Sequence, residues 1–270
     1  MFIVLAHRDR YGYAATAHAC RRCGLVFLNP VMTAEAYGAF YAGVYRPLVS
    51  AYHGRLIDAT TVQAEQRAYA AERSDLIAPY VERLRGGRLL DVGGSTGVVA
   101  YAFCSRFGLT GTVIDPAPAE IAEARALGLE TVSGFVEDYR GEGRFEVIAM
   151  CQTVDHLLDI TGSLAALRAL LADHGVLFID IVDFRAAYLR NWSVEEAVKI
   201  DHPYYLTPFT METYLRRAGF QIARVDFAAD HLHVGYVCVP GEAEPEALPA
   251  AAEVARLVGE IRYVQNVPRS

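Results

Sequence analysis

Two groups of residues in this chain have types and spacings suited to ligand binding and proton transfer. The run from Asp91 to Gly97, Asp-Val-Gly-Gly-Ser-Thr-Gly, places an acid ahead of a turn of small residues. Glycine has no Cβ, so such a turn can bend sharply and let a ligand lie against the backbone. His156 follows Asp155, and His202 follows Asp201. An imidazole can accept a proton near neutral pH, which makes both histidines candidate catalytic bases.

A third candidate is the pair Cys20 and Cys23 in Cys-Arg-Arg-Cys-Gly. Two thiolates at this spacing supply half of a tetrahedral zinc site. A second Cys-x-x-Cys pair does not follow, and His7 and His18 are the nearby substitutes. The pair therefore predicts either a zinc site completed by other ligands or a metal-free remnant whose cysteines pack as small apolar residues.

Strands and helices alternate regularly on both sides of the glycine-rich turn. The run into Asp91 is apolar, and a helix-compatible run follows Gly97. Further apolar runs predict strands at 111–116, 130–134, 145–151 and 176–182, with helices at 98–107, 120–128 and 163–173. Strands that are apolar along their whole length suit a parallel sheet covered on both faces. Strand–helix repetition therefore predicts a doubly wound α/β fold.

The C-terminal third predicts a departure from this parallel order. An insertion spans about 185–208, a helix follows at 211–219, and two strands at 221–227 and 232–239 are joined by only a few residues. So short a connection requires an antiparallel hairpin. Upstream, residues 33–87 predict helices, including one long helical stretch from about 49 to 69. The aromatic residues Tyr37, Phe40, Tyr41 and Tyr45 recur there at helical spacing and predict either a packing face or a lid over a ligand.

These features together resemble the class I methyltransferases that depend on S-adenosylmethionine (SAM). The resemblance is carried by Asp91-x-Gly93-x-Ser95-x-Gly97, where Ser95 replaces the commoner glycine, and by Asp155-His156-Leu157 in place of Glu-His-Leu. The Cys20–Cys23 knuckle extends it to methyltransferases with an N-terminal zinc ribbon, several of which act on sugars. The implied fold is a mostly parallel seven-stranded sheet with a C-terminal antiparallel hairpin, plus an N-terminal partial zinc-ribbon-like and helical extension.

The resemblance also assigns roles to residues. An acid at the tip of the second strand, Asp115, can accept hydrogen bonds from both ribose hydroxyls of a nucleoside. The segment after the third strand flanks the adenine in the resembling family. The implied cofactor-binding residues are Asp91, Gly93, Gly94, Ser95, Gly97, Asp115, Pro116, Phe135, Val136, Cys151 and Gln152; the candidate catalytic residues are His156 and His202; the candidate metal ligands are Cys20 and Cys23. The expected domains are a ribbon-like segment at 1–32, a helical lid at 33–73, a SAM-binding domain at 74–239, and a linker with a C-terminal helix at 240–270.

Composition limits the remaining possibilities. The formal net charge of −7 argues against a protein that binds nucleic acid through a basic surface. No apolar run is long enough to predict a membrane span. Five irregularly spaced cysteines fit a reducing cytoplasm better than a disulfide framework.

The sequence thus predicts a cytoplasmic SAM-dependent methyltransferase acting on a small molecule, such as a sugar, a nucleotide sugar or a natural-product intermediate. An NAD(P)-dependent oxidoreductase is the main alternative, because Asp115 would serve that cofactor equally well. The run after Asp91 does not fit the dinucleotide fingerprint G-x-G-x-x-G, however, and the terminal hairpin also disfavours that fold. A SAM-binding module without catalysis is the third possibility.

Overall fold

Two β-sheets organise the structure, a computed structural model that describes residues 2–141 and 143–266. The strands are β1 (Phe2–Arg8), β2 (Ala14–Cys20), β3 (Val26–Leu28), β4 (Arg88–Val92), β5 (Thr110–Asp115), β6 (Glu130–Ser133), β7 (Phe145–Met150), β8 (Leu171–Val182), β9 (Tyr204–Tyr205), β10 (Phe220–Phe227) and β11 (His233–Pro240). The helices are α1 (Ala34–Gly43), α2 (Tyr45–His53), α3 (Ala59–Val81), α4 (Val98–Phe107), α5 (Pro118–Ala126), α6 (Ile160–Leu170), α7 (Phe184–Asn191), α8 (Pro208–Arg217) and α9 (Ala251–Asn266).

The larger sheet has seven strands in the order β10-β11-β8-β7-β4-β5-β6. Strands β8, β7, β4, β5 and β6 are parallel, and the β10–β11 hairpin joins β8 in antiparallel orientation. This confirms the predicted fold class. The carboxyl ends of β4, β5 and β7 therefore meet at one edge, where α/β sheets bind their ligands.

Two apolar layers cover the larger sheet, one on each face. One face packs against α6 and α8 through Leu164, Leu167, Met211 and Leu215. The opposite face packs against α3, α4 and α5. Burial on both faces explains why β4 and β7 carry almost continuous apolar runs. Within the described ranges, none of the helices combines the length and the apolar character needed to cross a membrane.

The smaller sheet is antiparallel and has the order β1-β2-β3-β9. Its last strand, β9, comes from the insertion, so the N-terminal segment and the insertion form one structure. Helices α7 and α9 complete it through a third apolar cluster that includes Tyr188, Leu257 and Ile261. The short apolar run Leu25-Val26-Phe27-Leu28 predicts β3, whereas β1 and β2 were not predicted. Strand β2 consists largely of alanine, which has a low strand propensity, and β1 is an edge strand that pairs with β2.

The single helical stretch predicted over 49–69 is wrong. The chain forms α2 and α3 there, separated by a break after His53. Gly54 ends α2 in the left-handed conformation with φ of 64°, and the Asp58 side chain accepts the Thr61 N–H at the start of α3. A left-handed glycine and an N-terminal acid are ordinary stop and start signals, which the helical periodicity masked. Helix α3 then continues to Val81, through the expected domain boundary at 73–74.

Candidate active site

The glycine-rich turn joins β4 to α4 at the carboxyl edge of the sheet. Gly93, Ser95 and Gly97 have positive φ angles of 68°, 51° and 76°. The left-handed conformation costs a non-glycine residue about 1 kcal/mol. Ser95 therefore occupies a position that favours glycine, which explains why glycine is the commoner residue at this point of the motif.

The turn is packed tightly against protein atoms. A Cβ on Gly93 would lie 2.4 Å from the Thr153 side chain, and one on Gly94 would lie 2.7 Å from Oδ2 of Asp91. Glycine is therefore required at position 93 because Thr153, which follows β7, approaches the turn there, and at position 94 because Asp91 lies beneath it. The space that these glycines leave for a ligand stays a prediction.

Asp115 is fixed at the tip of β5. Its Oδ2 accepts the Ser95 N–H at 3.0 Å, and its Oδ1 accepts the Ala117 N–H at 2.8 Å. Each carboxylate oxygen keeps a second lone pair. Burial raises the pKa of Asp115, and the two N–H groups oppose that rise. The carboxylate is thus oriented by the turn and can still accept two hydroxyl hydrogens.

Asp91 is fully buried beneath the turn. Neither of its carboxylate oxygens has a hydrogen-bond partner among the described residues. Burial raises the pKa of Asp91 to about 7, with a further contribution from the charge of Asp115. The carboxyl packs against Gly94 from beneath the turn, and its predicted role toward the cofactor stays a prediction.

Helix α2 reaches over the same turn through an ion pair. The Arg46 guanidinium contacts Glu120 at 2.7 Å, and the other oxygen of Glu120 accepts the Ser95 hydroxyl at 2.8 Å. These contacts place the helical extension beside Asp115. They agree with a lid role for the α1–α2 region, one of the two possibilities left open by its aromatic spacing.

The remaining predicted cofactor residues lie around this edge. Phe135 is partly exposed, whereas Val136 is buried in the apolar core. Pro116 is exposed beside Asp115. The Gln152 N–H donates to Asp180 at 2.6 Å, and burial holds the pKa of the Cys151 thiol well above its usual value.

His156 lies next to the glycine-rich turn because the chain turns back after β7. Its backbone N–H donates to the carbonyl of Thr153 at 2.9 Å, and Thr153 is the residue that packs against Gly93. The His156 Nδ1 is 2.5 Å from the hydroxyl of Tyr41 on α1. Tyr41 is in turn hydrogen bonded to Tyr37, whose hydroxyl donates to the Asp201 carbonyl.

The insertion brings His202 to the same place. The His156 and His202 ring centroids are 4.2 Å apart, and the His202 Nδ1 is 2.8 Å from Asp155. Asp201 is fully buried, and its Oδ2 lies 3.6 Å from the His202 Nε2 and 3.8 Å from the His156 Nδ1. The structure thus joins both predicted histidines in one group, which we call the acceptor-side cluster: Tyr41, Asp155, His156, Lys199, Asp201 and His202.

The electrostatics of the acceptor-side cluster favour a neutral His156. Burial and, to a smaller extent, the charge of the nearby His202 lower the pKa of His156 to about 4, although the two aspartates act in the opposite direction. Burial would raise the pKa of Asp155, but the charge and the hydrogen bond of His202 outweigh it and lower that pKa. Burial also lowers the pKa of Lys199, whose Nζ is 3.4 Å from the His202 Nε2.

Four members of the acceptor-side cluster were not predicted as site residues: Tyr41, Asp155, Lys199 and Asp201. Asp155 entered the sequence analysis only as part of the Asp-His-Leu motif. Tyr41 was noticed only as part of an aromatic repeat. Lys199 is the only lysine in the chain, whereas arginine is abundant, and that contrast is a signal that sequence reasoning could have used. Asp201 is adjacent to His202, but its burial depends on the fold of the insertion.

Ligand atoms of Asp155, His156 and His202 all lie within 4.8 Å of one another, close enough to share a metal ion. No such group of three includes Cys20 or Cys23 within the described parts of the chain. These two thiols lie close together in the turn before β3 and share a side-chain hydrogen bond. Two thiols are half of the four ligands that a tetrahedral zinc site requires, so zinc binding by this pair stays a prediction.

A protein-family model described as "Methyltransferase domain" matches residues 63–225, which is more than half of the chain. Among curated relatives, a ubiquinone biosynthesis O-methyltransferase of Xanthomonas euvesicatoria is 28% identical over 194 residues, covering 65% of this chain and 80% of that protein. Another with the same name, from Rhodopseudomonas palustris, is 23% identical over 167 residues, covering 56% of this chain and 65% of that protein.

Solved structures share the fold at low sequence identity. The magnesium protoporphyrin IX methyltransferase of Synechocystis, solved with bound S-adenosylhomocysteine (SAH), has a TM-score of 0.60 and 10% identity, covering 77% of this chain and all of that one. A SAM-dependent methyltransferase from Clostridium acetobutylicum has a TM-score of 0.52 and 14% identity, covering 76% of this chain and 99% of that one.

Proposed function

Because this chain belongs to the methyltransferase-domain family, we propose that it transfers the methyl group of SAM to a hydroxyl oxygen of a small molecule. The observation that carries the proposal is one contact, in which Thr153 packs against Gly93 of the glycine-rich turn. Through that contact, the turn that orients Asp115 is joined to the segment that carries His156, so a nucleoside held by Asp115 would lie near the imidazoles. Methyl transfer requires this arrangement, since donor and acceptor must be held in line.

The residues at the carboxyl edge fit the cofactor. Asp115 would accept the ribose hydroxyls through its two free lone pairs, and Phe135 would lie along the adenine. Gly93, Gly94, Ser95 and Gly97 would form the floor of the site, with Pro116, Val136, Cys151 and Gln152 around it. When bound, SAM supplies a methyl group on a positively charged sulfur.

His156 would act as the base. In one consistent set of hydrogen bonds, the His156 Nδ1–H donates to the Tyr41 hydroxyl, which donates to the Tyr37 hydroxyl. The Tyr37 hydroxyl then donates to the Asp201 carbonyl, so each hydroxyl has both a donor and an acceptor. This assignment leaves the His156 Nε2 with a free lone pair, able to take the acceptor's hydroxyl proton. His202, held by Asp155, would stabilise the proton that arrives in the acceptor-side cluster.

The name of the curated relatives supports transfer to oxygen. The sugar and nucleotide-sugar acceptors expected from the N-terminal cysteines remain candidates within the same proposal. Nothing in the acceptor-side cluster separates them from aromatic hydroxyl acceptors, so the acceptor panel has to include both classes.

The test is transfer of tritium from methyl-labelled SAM to a panel of catechols, phenols and nucleotide sugars. We expect His156→Gln to lower kcat on the best acceptor by about 100-fold or more, with little change in the KM for SAM. His174→Gln, at an exposed histidine in β8, is the matched control and should retain activity.

Full activity of His156→Gln would remove His156 as the base. SAH binding without transfer to any acceptor would favour a non-catalytic SAM-binding module. Repeating the assay with a chelator separates proton transfer from metal ligation by Asp155, His156 and His202.

A further inference from the structure

The smaller sheet holds the segment that carries Asp201 and His202 from both sides. Downstream, the Leu28 N–H donates to the Pro203 carbonyl at 2.9 Å, and β9 pairs with β3. Upstream, the Arg10 N–H donates to the Val198 carbonyl at 3.0 Å. The two functional side chains therefore lie between two attachment points on the same N-terminal structure.

On the upstream side, the attachment nearest in sequence to Asp201 and His202 is a hydrogen bond from the insertion to Asp9. Its Oδ2 accepts the Ile200 N–H at 2.9 Å, one residue before Asp201. Its Oδ1 accepts the N–H groups of Tyr11 and Tyr13 at 3.0 and 2.8 Å, in the turn between β1 and β2. Asp9 is only 4% exposed. One buried carboxylate thus ties the first hairpin of the chain to the insertion.

Two further contacts stiffen the same segment. The Arg10 guanidinium donates to the Glu196 carbonyl at 2.6 Å. The Tyr205 hydroxyl donates to the Lys199 carbonyl at 2.6 Å and accepts the Lys199 N–H at 3.0 Å. With both flanks bonded, small movements of the hairpin are transmitted to residues 200–202.

We propose that Asp9 is a positioning residue for the acceptor-side cluster, acting through the Ile200 amide to hold His202 against Asp155. The catalytic consequence rests on the proposed function, whereas the structural link does not. In this proposal the N-terminal hairpin positions the insertion, a role that requires no metal at Cys20 and Cys23. Geometry at this level matters because a misplacement of about 1 Å can lower a rate by about 100-fold.

The test is Asp9→Asn, which keeps one oxygen for the turn amides and places an NH2 group opposite the Ile200 N–H. Asp230→Asn is the matched control, because Asp230 likewise accepts two turn amides, those of Leu232 and His233, in the β10–β11 turn. Asp9→Ser, whose shorter side chain keeps an oxygen near the turn, is the second variant if Asp9→Asn does not fold.

Two NMR readouts report on the segment directly. Labelling with 15N-lysine gives a single backbone amide, that of Lys199, and its hydrogen exchange should become about tenfold faster in Asp9→Asn. In 15N-histidine spectra, the His202 imidazole signal, assigned by its loss in His202→Gln, should shift in Asp9→Asn. Asp230→Asn should leave both signals unchanged and move only that of His233, which it contacts.

SAH calorimetry on the same variants separates the two proposals. We expect the SAH Kd of Asp9→Asn to stay within about twofold of the wild-type value, since the hydrogen bonds of Asp9 to described residues go to Tyr11, Tyr13 and Ile200 and not to the glycine-rich turn. A folded Asp9 variant with unchanged Lys199 exchange and an unchanged His202 signal would overturn the positioning role. Failure of the wild-type protein to bind SAH would instead overturn the proposed function, and the His202 response would still decide this inference.

Discussion

At the scale of single residues, the two acids at the carboxyl edge of the sheet differ in what surrounds them. Asp115 is oriented by two backbone N–H groups, whereas Asp91 is enclosed without a hydrogen-bond partner among the described residues. The sequence alone placed both acids beside the cofactor. The packing of the turn adds that Asp91 lies directly under Gly94, whereas its contact with a cofactor stays a prediction.

The buried carboxyl of Asp91 predicts a pH-dependent stability. Its pKa is raised to about 7 in the folded protein, against about 3.9 in an unfolded chain, so the folded state binds the proton more tightly. Its contribution to stability is fully present below the unfolded pKa and is lost as the pH rises through 7. Relative to Asp91→Asn, the wild-type protein should therefore lose about 2 kcal/mol of unfolding free energy between pH 5.5 and pH 8.

Urea unfolding of both proteins across that pH range measures the difference. Asp173→Asn, at an exposed acid, serves as the control and should follow the wild-type curve. Parallel curves for wild type and Asp91→Asn would mean that Asp91 titrates normally in the folded protein.

The residues of the acceptor-side cluster could be predicted only in part. His156 follows a strand directly, so the alternation of strands and helices was enough to bring it to the edge. His202 lies in an insertion without a periodic pattern, and its meeting with Asp155 depends on β9 joining the smaller sheet. Lys199 and Asp201 join the acceptor-side cluster through the same pairing of β9 with the smaller sheet, and no local sequence pattern predicts that pairing.

At the scale of elements, apolar patterning predicted the larger sheet because its central strands β4, β5, β7 and β8 are buried on both faces. The smaller sheet was missed because its strands are half-exposed and one of them, β9, comes from a distant part of the chain. The C-terminal helix α9 was predicted from its periodicity, but its partner was not, since periodicity shows that a face is buried and not what covers it.

Helix α9 completes the core of the smaller sheet, and this predicts an asymmetric response to mutation along one helix. Leu257 is 1% exposed in the third apolar cluster, whereas Tyr263 is 65% exposed. We expect Leu257→Ala to lower the free energy of unfolding by about 2–4 kcal/mol, because it leaves a cavity, and Tyr263→Ala to change it by less than about 0.5 kcal/mol. Chemical denaturation followed by circular dichroism measures both. Equal effects would show that α9 does not pack as described.

At the scale of the whole molecule, the two sheets position different parts of the candidate site. The larger sheet presents Asp115 and the glycine-rich turn, and the smaller sheet fixes the insertion that carries His202. The two meet where His156 approaches both His202 and Tyr41 of α1. The family's cofactor fold could thus be predicted from local patterns, whereas the acceptor side is a product of long-range contacts.

The most direct measurement is calorimetry of the purified protein with SAH, comparing wild type with Asp115→Asn and with the exposed control Asp173→Asn. We predict micromolar binding by the wild-type protein and the control. Asp115→Asn should bind about 10- to 100-fold more weakly, because it loses charged hydrogen bonds to the ribose and turns an NH2 group toward the Ser95 or the Ala117 N–H. Equal SAH affinity in Asp115→Asn, or no binding by a folded wild-type protein, would contradict the assignment of this edge as the SAM site.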